Sequence, residues 1–238
     1  MKVSILIPVL NEASVIPTAL LSLKQSLAKV PEISWEVILI DAGSSDPSPN
    51  LIRDFTSSFG WKSRFGNLKN PSIGKTLHLG LPLVTADYLL FLPIDLSLSV
   101  KAIQVWREAL KQGATCGGFA KSYAPNSRLL KIYVALQNQI RSKRLRHLVW
   151  TNAIFCTQEL AQKYPLPELG FLEDVLFSDK LRKEQNWSFV EEPIFVSSRR
   201  YYPSRVGKRI LINAIIMLLF RLRLASPIQL KRLYAKAR

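Results

Sequence analysis

Two apolar segments near the start of the chain, each ending in an acidic turn, constrain the fold more than any other feature. The first spans residues 3–8 and opens onto Asn11 and Glu12, and the second spans residues 37–40 and stops at Asp41. Continuous apolar runs of this length are typical of parallel strands that are buried on both faces. Ligands of open α/β sheets bind outside the carboxyl ends of such strands. The two acidic turns are therefore expected at a ligand-binding edge.

Helical and strand patterns alternate along the first half of the chain. Strands are predicted over residues 3–8, 36–41 and 88–93, and helices over 14–27, 47–59, 74–83 and 100–112. The later segments are less regular, with strands predicted over 114–123, 152–156 and 188–197, and helices over 128–146, 172–183, 207–224 and 227–236. Alternation of this kind predicts an α/β fold with a doubly wound parallel sheet. In helix 128–146 the spacing places Leu129, Ile132, Tyr133, Leu136 and Ile140 on one side.

Positive charge is distributed unevenly along the 238 residues, whose formal net charge is +16. No acidic residue lies between Glu108 and Glu159, a stretch with eight lysines and arginines, and none follows Glu192, after which there are eleven. Such blocks indicate an anionic partner, which can be a diphosphate, a lipid headgroup or nucleic acid. The alternative is a solvated basic surface without a partner.

The sequence shows no segment that is expected to cross a membrane. The apolar run nearest in length spans residues 210–220, whereas a spanning helix needs about 20 apolar residues. Polar residues interrupt the first apolar run, so a signal peptide is not expected. Cys116 and Cys156 are too far apart for a zinc or disulfide motif and are expected to be buried, reduced thiols of a cytoplasmic protein.

Carboxylates at strand ends and helix starts are the candidates for chemistry. Asp95 follows an apolar run, where an oxygen ligand suits magnesium or manganese, or where it caps the next helix. Glu12 and Asp41 can bind a ligand or stabilise their own turns. The adjacent acids Glu173 and Asp174 can supply a general base, or they can interact with a helix dipole.

These features, in this order, resemble the inverting family 2 glycosyltransferases of the GT-A type, in particular a subgroup of small bacterial enzymes. The resemblance covers nearly the whole chain. It depends on the two opening strands, on Asp95 as the last acid of an Asp-any-Asp motif, and on Glu173-Asp174 within Gly170–Arg182. It also includes Arg199-Arg200 before two tyrosines, followed by Gly207 and an apolar helix.

The resemblance implies roles for particular residues. Asp174 would be the general base, Glu173 would support the acceptor or loop geometry, and Asp95 would bind magnesium or manganese. The loop after strand one lines the nucleotide in such enzymes, Asp41 binds the base, typically uracil, and basic residues face the diphosphate. The nucleotide-sugar-binding residues implied in this way are Pro8, Val9, Glu12, Asp41, Gly43, Lys75, Ile94, Arg199 and Arg200.

Two departures from the resembled pattern leave alternatives open. Pro93-Ile94-Asp95 keeps only the last acid of its motif, and Trp150-Thr151-Asn152 stands where the subgroup commonly has Gly-Asp-Gln. A catalytically impaired relative that only binds nucleotide sugars is therefore one alternative. A basic nucleic-acid-binding protein is another, but the sequence lacks a recognition motif, and nucleic acid is not the expected partner.

The sequence thus predicts a Rossmann-like, three-layer α/β/α GT-A domain over residues 1–200. Residues 201–238 are predicted to form a basic, apolar helical extension that packs on the domain or on a membrane surface. The resemblance implies inverting transfer from a nucleoside-diphosphate sugar, typically a UDP-sugar, to a hydroxyl acceptor that is lipid-linked or a small metabolite. The expected location is cytoplasmic, with peripheral contact to the anionic inner face of the cell membrane.

Overall fold

One eight-stranded sheet forms the centre of the protein. The computed structural model describes residues 1–124, 128–197 and 206–236. The strands are β1 (Lys2–Val9), β2 (Ser34–Asp41), β3 (Lys62–Phe65), β4 (Tyr88–Phe91), β5 (Leu96–Ser97), β6 (Cys116–Ala124), β7 (Phe155–Thr157) and β8 (Trp187–Ser197). They are ordered β3-β2-β1-β4-β7-β6-β8-β5.

The first half of the sheet is parallel and the second half is mixed. Strand β1 pairs in parallel with β2 and β4, and β2 pairs in parallel with β3. Strand β7 is antiparallel to both β4 and β6, β6 is parallel to β8, and β5 is antiparallel to β8. Four of the seven pairings are parallel, which confirms the predicted mostly parallel sheet.

Helices cover both faces of this sheet. The described helices are α1 (Ile16–Ala28), α2 (Ser48–Phe59), α3 (Ile73–Gly80), α4 (Val100–Lys111), α5 (Arg128–Leu136), α6 (Gln158–Lys163), α7 (Glu173–Leu181), α8 (Val206–Arg221) and α9 (Pro227–Lys236). Helices α1, α2 and α4 pack in one hydrophobic core. Helices α3, α6 and α7 pack in a second core on the other face. The predicted three-layer arrangement is therefore confirmed.

Side-chain periodicity explains how these layers form. In β1, Ile5 and Ile7 face the first core and Leu6 faces the second, because successive residues of a strand point to opposite faces. Helix α1 begins at Ile16 and buries Ile16 and Leu20 on its inner side. Fully burying a leucine or isoleucine side chain contributes roughly 1.5–3 kcal/mol.

The basic segment after β6 is less regular than predicted, because it divides into α5 and a π-helix, Gln137–Arg144. Leu130 and Val134 face the core, whereas four of the five side chains predicted to lie on one side are largely exposed. These are Leu129, Ile132, Leu136 and Ile140, whose exposed fractions lie between 50% and 58%. This helix carries apolar residues on all of its sides, so spacing alone could not identify the side that packs on the sheet.

The C-terminal extension is helical, as predicted, and contacts the domain. Helix α8 packs on α5 and on α9, and Arg221 at its end forms an ion pair with Asp179 of α7. The predicted division between residues 200 and 201 falls outside the described residues. No helix in the described ranges has the length and apolar character that crossing a bilayer requires.

A buried carboxylate joins four segments at the amino-terminal edge of the parallel strands. Glu36 of β2 accepts hydrogen bonds from Ser4 of β1, from Lys62 of β3 at 2.5 Å, and from Thr85, just before β4, through its N–H at 3.0 Å and its hydroxyl at 2.7 Å. Burial opposes ionisation, but these hydrogen bonds outweigh it and lower the pKa of Glu36 to about 2. The charged form therefore stabilises the fold.

We expect Glu36→Gln to lower the free energy of unfolding by about 1–3 kcal/mol at neutral pH, because buried donors lose a charged acceptor. A depressed pKa contributes stability that is lost as the pH falls from 4.5 towards about 2. The difference between wild type and variant should shrink over that window in urea unfolding. Glu32→Gln is the control, since Glu32 pairs with Arg107 at the surface. Equal losses for the two variants would contradict the role of Glu36.

Candidate active site

The carboxyl ends of β1, β2 and β4 meet at one edge of the sheet. Val9, the last residue of β1, lies beside Asp41, the last residue of β2. Strand β4 runs parallel on the other side of β1 and leads to Asp95. The parallel pairing thus brings the predicted acidic turns to the same edge.

The loops after β1 and β2 hold each other in place. Asn11 adopts a left-handed conformation with φ 54°, which asparagine tolerates better than most residues. Its N–H donates to Ser44 Oγ at 2.9 Å, and its side-chain oxygen accepts from Ser45 N–H at 2.8 Å. Glu12 N–H donates to Ser48 Oγ at 2.9 Å. The backbone around Glu12 is therefore fixed against the loop that follows Asp41.

Asp41 uses only one of its carboxylate oxygens within the described structure. The side chain is 2% exposed, and Oδ2 accepts from Gly43 N–H at 2.9 Å and Ser44 N–H at 3.0 Å. Gly43 has φ 104°, a conformation that favours glycine. Oδ1 is buried and accepts no hydrogen bond from the residues that the structure describes. An acceptor of this kind suits an N–H of a ligand.

Several predicted nucleotide-sugar-binding residues have buried side chains. Pro8 and Val9 end β1, and Ile94 follows β4, with all three side chains buried. Arg199 and Arg200 lie outside the described residues.

Asp95 is the single acid at the end of the central strand. It is partly exposed, and its carbonyl oxygen accepts from Ser197 N–H of β8 at 3.1 Å. No group of three or more His, Cys, Asp or Glu side chains suited to a metal ion occurs among the described residues. An Asp carboxylate fits magnesium or manganese, but the donor set is incomplete, so a bound metal would need ligands from its substrate.

Glu173 joins the start of α7 to the start of α3. The carboxylate is 2% exposed and accepts from Ser72 Oγ at 2.6 Å, Gly170 N–H at 2.8 Å and Gly74 N–H at 2.9 Å. A Cβ on Gly74 would lie 2.7 Å from Glu173 Cδ, so glycine is needed for this approach. Lys75 lies in the first turn of α3, is partly exposed and directly follows Gly74, whose N–H donates to Glu173.

Asp174 lies next to this anchor and remains partly exposed. Its Oδ2 accepts from Trp150 N–H at 2.9 Å, and its Oδ1 accepts from Val175 N–H at 2.9 Å. Burial raises the pKa of Asp174 above its ordinary value, although these hydrogen bonds and the charge of Arg141 oppose the shift. A partly buried carboxylate with a raised pKa is a suitable proton acceptor.

Two cationic side chains near Asp174 were missed by sequence reasoning. The short 3₁₀-helix Trp150–Asn152 contacts one charged group through each of its residues. Asp174 is bound by Trp150, Lys121 Nζ donates to Thr151 Oγ1 at 3.3 Å, and Arg141 Nη2 donates to Asn152 Oδ1 at 3.2 Å. The only available signal was the departure from Gly-Asp-Gln at these positions, since Lys121 and Arg141 are distant in sequence.

Both cysteines are buried, free thiols, as predicted. Cys116 and Cys156 are direct neighbours across β6 and β7. Burial raises the pKa of Cys116 to about 12 and raises that of Cys156 as well. Neither thiol is therefore suited to nucleophilic chemistry.

Two curated proteins are similar to parts of this chain. An undecaprenyl-phosphate 4-deoxy-4-formamido-L-arabinose transferase from Aeromonas hydrophila subsp. hydrophila is 31% identical over 182 residues, 69% of this chain and 54% of the relative. A PGL/p-HBAD biosynthesis glycosyltransferase from Mycobacterium bovis is 32% identical over 95 residues, 40% of this chain and 36% of the relative. The chain spans about half the length of the first relative and less of the second.

Solved structures share the fold at low sequence identity. TarS residues 1–349 from S. aureus matches with a TM-score of 0.67 and 16% identity, covering 92% of this chain and 65% of that 1–349 chain. A mannosyltransferase from Pyrobaculum calidifontis, solved with GDP-Man and Mn²⁺, has a TM-score of 0.67 and 14% identity, covering 99% of this chain and 68% of that one. Glucosyl-3-phosphoglycerate synthase from Mycobacterium tuberculosis was solved with Mn²⁺, UDP and phosphoglyceric acid. It has a TM-score of 0.58 and 19% identity, and the match covers 92% of this chain and 78% of that one.

A family-wide comparison agrees with this likeness. The profile described as "Glycosyl transferase family 2" matches residues 4–162, more than half of the chain. The chain therefore belongs to glycosyl transferase family 2 and has the GT-A fold.

Proposed function

We propose that this protein transfers a sugar from a nucleoside-diphosphate sugar to a hydroxyl acceptor with inversion at the anomeric carbon. The observation that carries the proposal is Asp174, a partly exposed carboxylate with a raised pKa, held beside α3 by the Glu173 anchor. Membership of the family and the names of the relatives support glycosyl transfer.

The donor binds at the carboxyl ends of β1 and β2. The free acceptor position on Asp41 Oδ1 suits the ring N–H of uracil, and the backbone of Pro8, Val9 and Gly43 lines the nucleoside. Structural neighbours hold UDP, UDP-GlcNAc or GDP-Man. We therefore propose a UDP-sugar as donor. A thermal-shift panel of nucleoside diphosphates and their sugars tests this choice, because binding to the folded state raises its stability.

Several residues around the donor position or neutralise its diphosphate. Glu12 fixes the loop after β1, and Ile94 precedes Asp95 in the segment after β4. Lys75, Arg199 and Arg200 neutralise phosphate oxygens as the leaving group departs. A bound magnesium or manganese ion would be held by Asp95 and would stabilise the negative charge of the diphosphate.

Metal binding should depend on the nucleotide. With one protein carboxylate, we expect weak manganese affinity alone and at least about 10-fold tighter binding with UDP, because the diphosphate supplies the missing oxygen ligands. Calorimetry of manganese with and without UDP measures the difference. Asp95→Asn should remove the UDP-dependent gain. Equal affinity in both conditions would count against a shared metal site.

Asp174 acts as the general base. The acceptor oxygen attacks the anomeric carbon from the face opposite the diphosphate, the bond to the diphosphate oxygen breaks, and Asp174 takes the hydroxyl proton. Trp150 N–H orients one carboxylate oxygen and Val175 N–H the other. Glu173 positions Asp174 through its bonds to α3 rather than by taking a proton.

Asp174→Asn should reduce kcat by ~10²–10⁴-fold, the usual range for loss of a general base, with little change in donor affinity. In the wild type, activity should fall as the pH decreases through the raised pKa of Asp174, since the base must be deprotonated. Initial rates across pH measure both effects. Asp54→Asn, the same change at an exposed position of α2, is the control. Normal turnover by Asp174→Asn would exclude this role.

A catalytically impaired nucleotide-sugar-binding protein is the second candidate. The single acid at Asp95 and the neutral Thr151 favour it. Such a protein would bind a UDP-sugar in the thermal-shift panel without hydrolysing or transferring the sugar in the presence of manganese. Transfer or hydrolysis that disappears in Asp174→Asn would exclude it.

We further propose that the protein acts at an anionic membrane surface. Exposed apolar side chains lie on α5 and α8, which pack side by side: Leu129, Ile132, Leu136, Leu211, Ile215 and Leu218. Eleven lysines and arginines and no acid follow Glu192. Apolar side chains with flanking basic groups suit the headgroup region of anionic lipid, where each basic residue adds roughly 1 kcal/mol.

Sedimentation with liposomes tests membrane attachment. Binding should appear with anionic vesicles and weaken at high salt because the charges are screened. It should be lost when the lysines and arginines that follow Glu192 are replaced. Ile132→Asn with Leu218→Asn should weaken binding at unchanged charge. Val105→Asn, at an exposed apolar residue of α4, is the control. No sedimentation at low salt would reject membrane attachment and leave the enzymatic proposal intact.

A further inference from the structure

Lys121 is a buried cation without a carboxylate partner among the described residues. It lies in β6, is 4% exposed and contributes its side chain to the same turn that holds Asp174. An ammonium group has three donors, and the described structure gives it one acceptor, Thr151 Oγ1 at 3.3 Å. A buried cation with unsatisfied donors is destabilising. A ligand that accepts hydrogen bonds from the ammonium group would remove this cost.

A second cation is fixed beside Lys121. Asn138 of the π-helix accepts from Lys121 N–H at 3.2 Å and donates to Lys121 O at 2.9 Å, which attaches the π-helix to β6. Arg141 follows three residues later and donates to Asn152 Oδ1. Burial, and secondarily the charge of Arg141, lower the pKa of Lys121 well below its usual value, whereas Asp174 opposes the shift. Two like charges held this close favour an anion between them.

We propose that Lys121 and Arg141 bind a phosphate group of the acceptor and so hold the acceptor beside Asp174. The attacking oxygen is a hydroxyl of the same molecule in a soluble phosphate ester, and a protonated oxygen of the phosphate itself in a lipid monophosphate. The inference rests on the proposed transferase function and adds the chemical class of the acceptor. Thr151 and Arg141 are partly exposed, so an oxyanion that contacts both can replace Thr151 as the acceptor for Lys121. The neutral Thr151, where the resembled subgroup commonly has an acid, leaves this cation available.

Binding of phosphate to single-site variants tests the proposal. Calorimetry with inorganic phosphate on the full chain should show binding that weakens at least about 10-fold in Lys121→Met and in Arg141→Met, as expected when a charged hydrogen bond is lost. Lys143→Met is the matched control, because Lys143 lies in the same π-helix but pairs with Glu191 at the surface. Equal weakening in Lys121→Met and Lys143→Met would overturn the subsite and indicate only a general charge effect.

Thr151→Asp tests the same point without removing a cation. The new carboxylate would pair with Lys121, so phosphate binding should fall at least about 10-fold although both cations remain. Unchanged phosphate affinity in Thr151→Asp would contradict the proposal.

Two further measurements identify the source of the phosphate and separate this proposal from the transferase function. Much tighter binding of farnesyl phosphate than of inorganic phosphate, with no binding of farnesol, would assign the subsite to a lipid phosphate. Equal binding of farnesyl and inorganic phosphate would assign it to a soluble phosphate ester. Donor hydrolysis and sugar transfer by the wild type test the transferase function independently of phosphate binding. Absence of both reactions would reject the transferase function while leaving a measured phosphate site intact.

Discussion

The carboxylate of Glu173 is the interaction on which the geometry of the site depends. Its two oxygens accept bonds from Ser72, Gly74 and Gly170, so the start of α7 cannot move relative to the start of α3. Because Gly74 has no side chain, the carboxylate can approach the helix terminus closely. The Glu173 side chain also lies at the amino-terminal end of α3, the end of a helix that favours acidic side chains. Because Asp174 is the next residue in the chain, this contact also constrains its position.

A second constraint is the parallel register of β1 with β2 and β4. It brings Asp41 and the segment leading to Asp95 to one edge, while Glu36 closes the network at the opposite edge. The two carboxylates differ because their surroundings differ. Every segment around Glu36 donates a hydrogen bond to it, whereas Asp41 keeps one buried oxygen without a described donor. The first carboxylate stabilises the fold, and the second is the one for which we propose a ligand N–H as partner.

Much of this arrangement could be predicted from sequence because it depends on local periodicity. The buried strands, the helix α1 and the acidic turns follow from the spacing of apolar and polar residues along short segments. The exposed face of α5 could not be predicted, since the helix carries apolar residues on all sides. In the structure, Leu130 and Val134 are the ones that are buried. Lys121 and Arg141 could not be linked to Asp174 either, because a turn of the chain at Trp150–Asn152 brings the three groups together.

The two departures from the family pattern become related once they are placed in the structure. Pro93 stands where a second acid would accompany Asp95, and Thr151 stands where an acid would face Lys121. Each change removes negative charge from a position close to a proposed anionic ligand. A site with fewer acids holds a diphosphate or a phosphate ester with less electrostatic repulsion, since like charges in a low-dielectric site repel strongly. The departures are thus compatible with an enzyme whose donor and acceptor both carry phosphate, and they do not by themselves indicate a loss of activity.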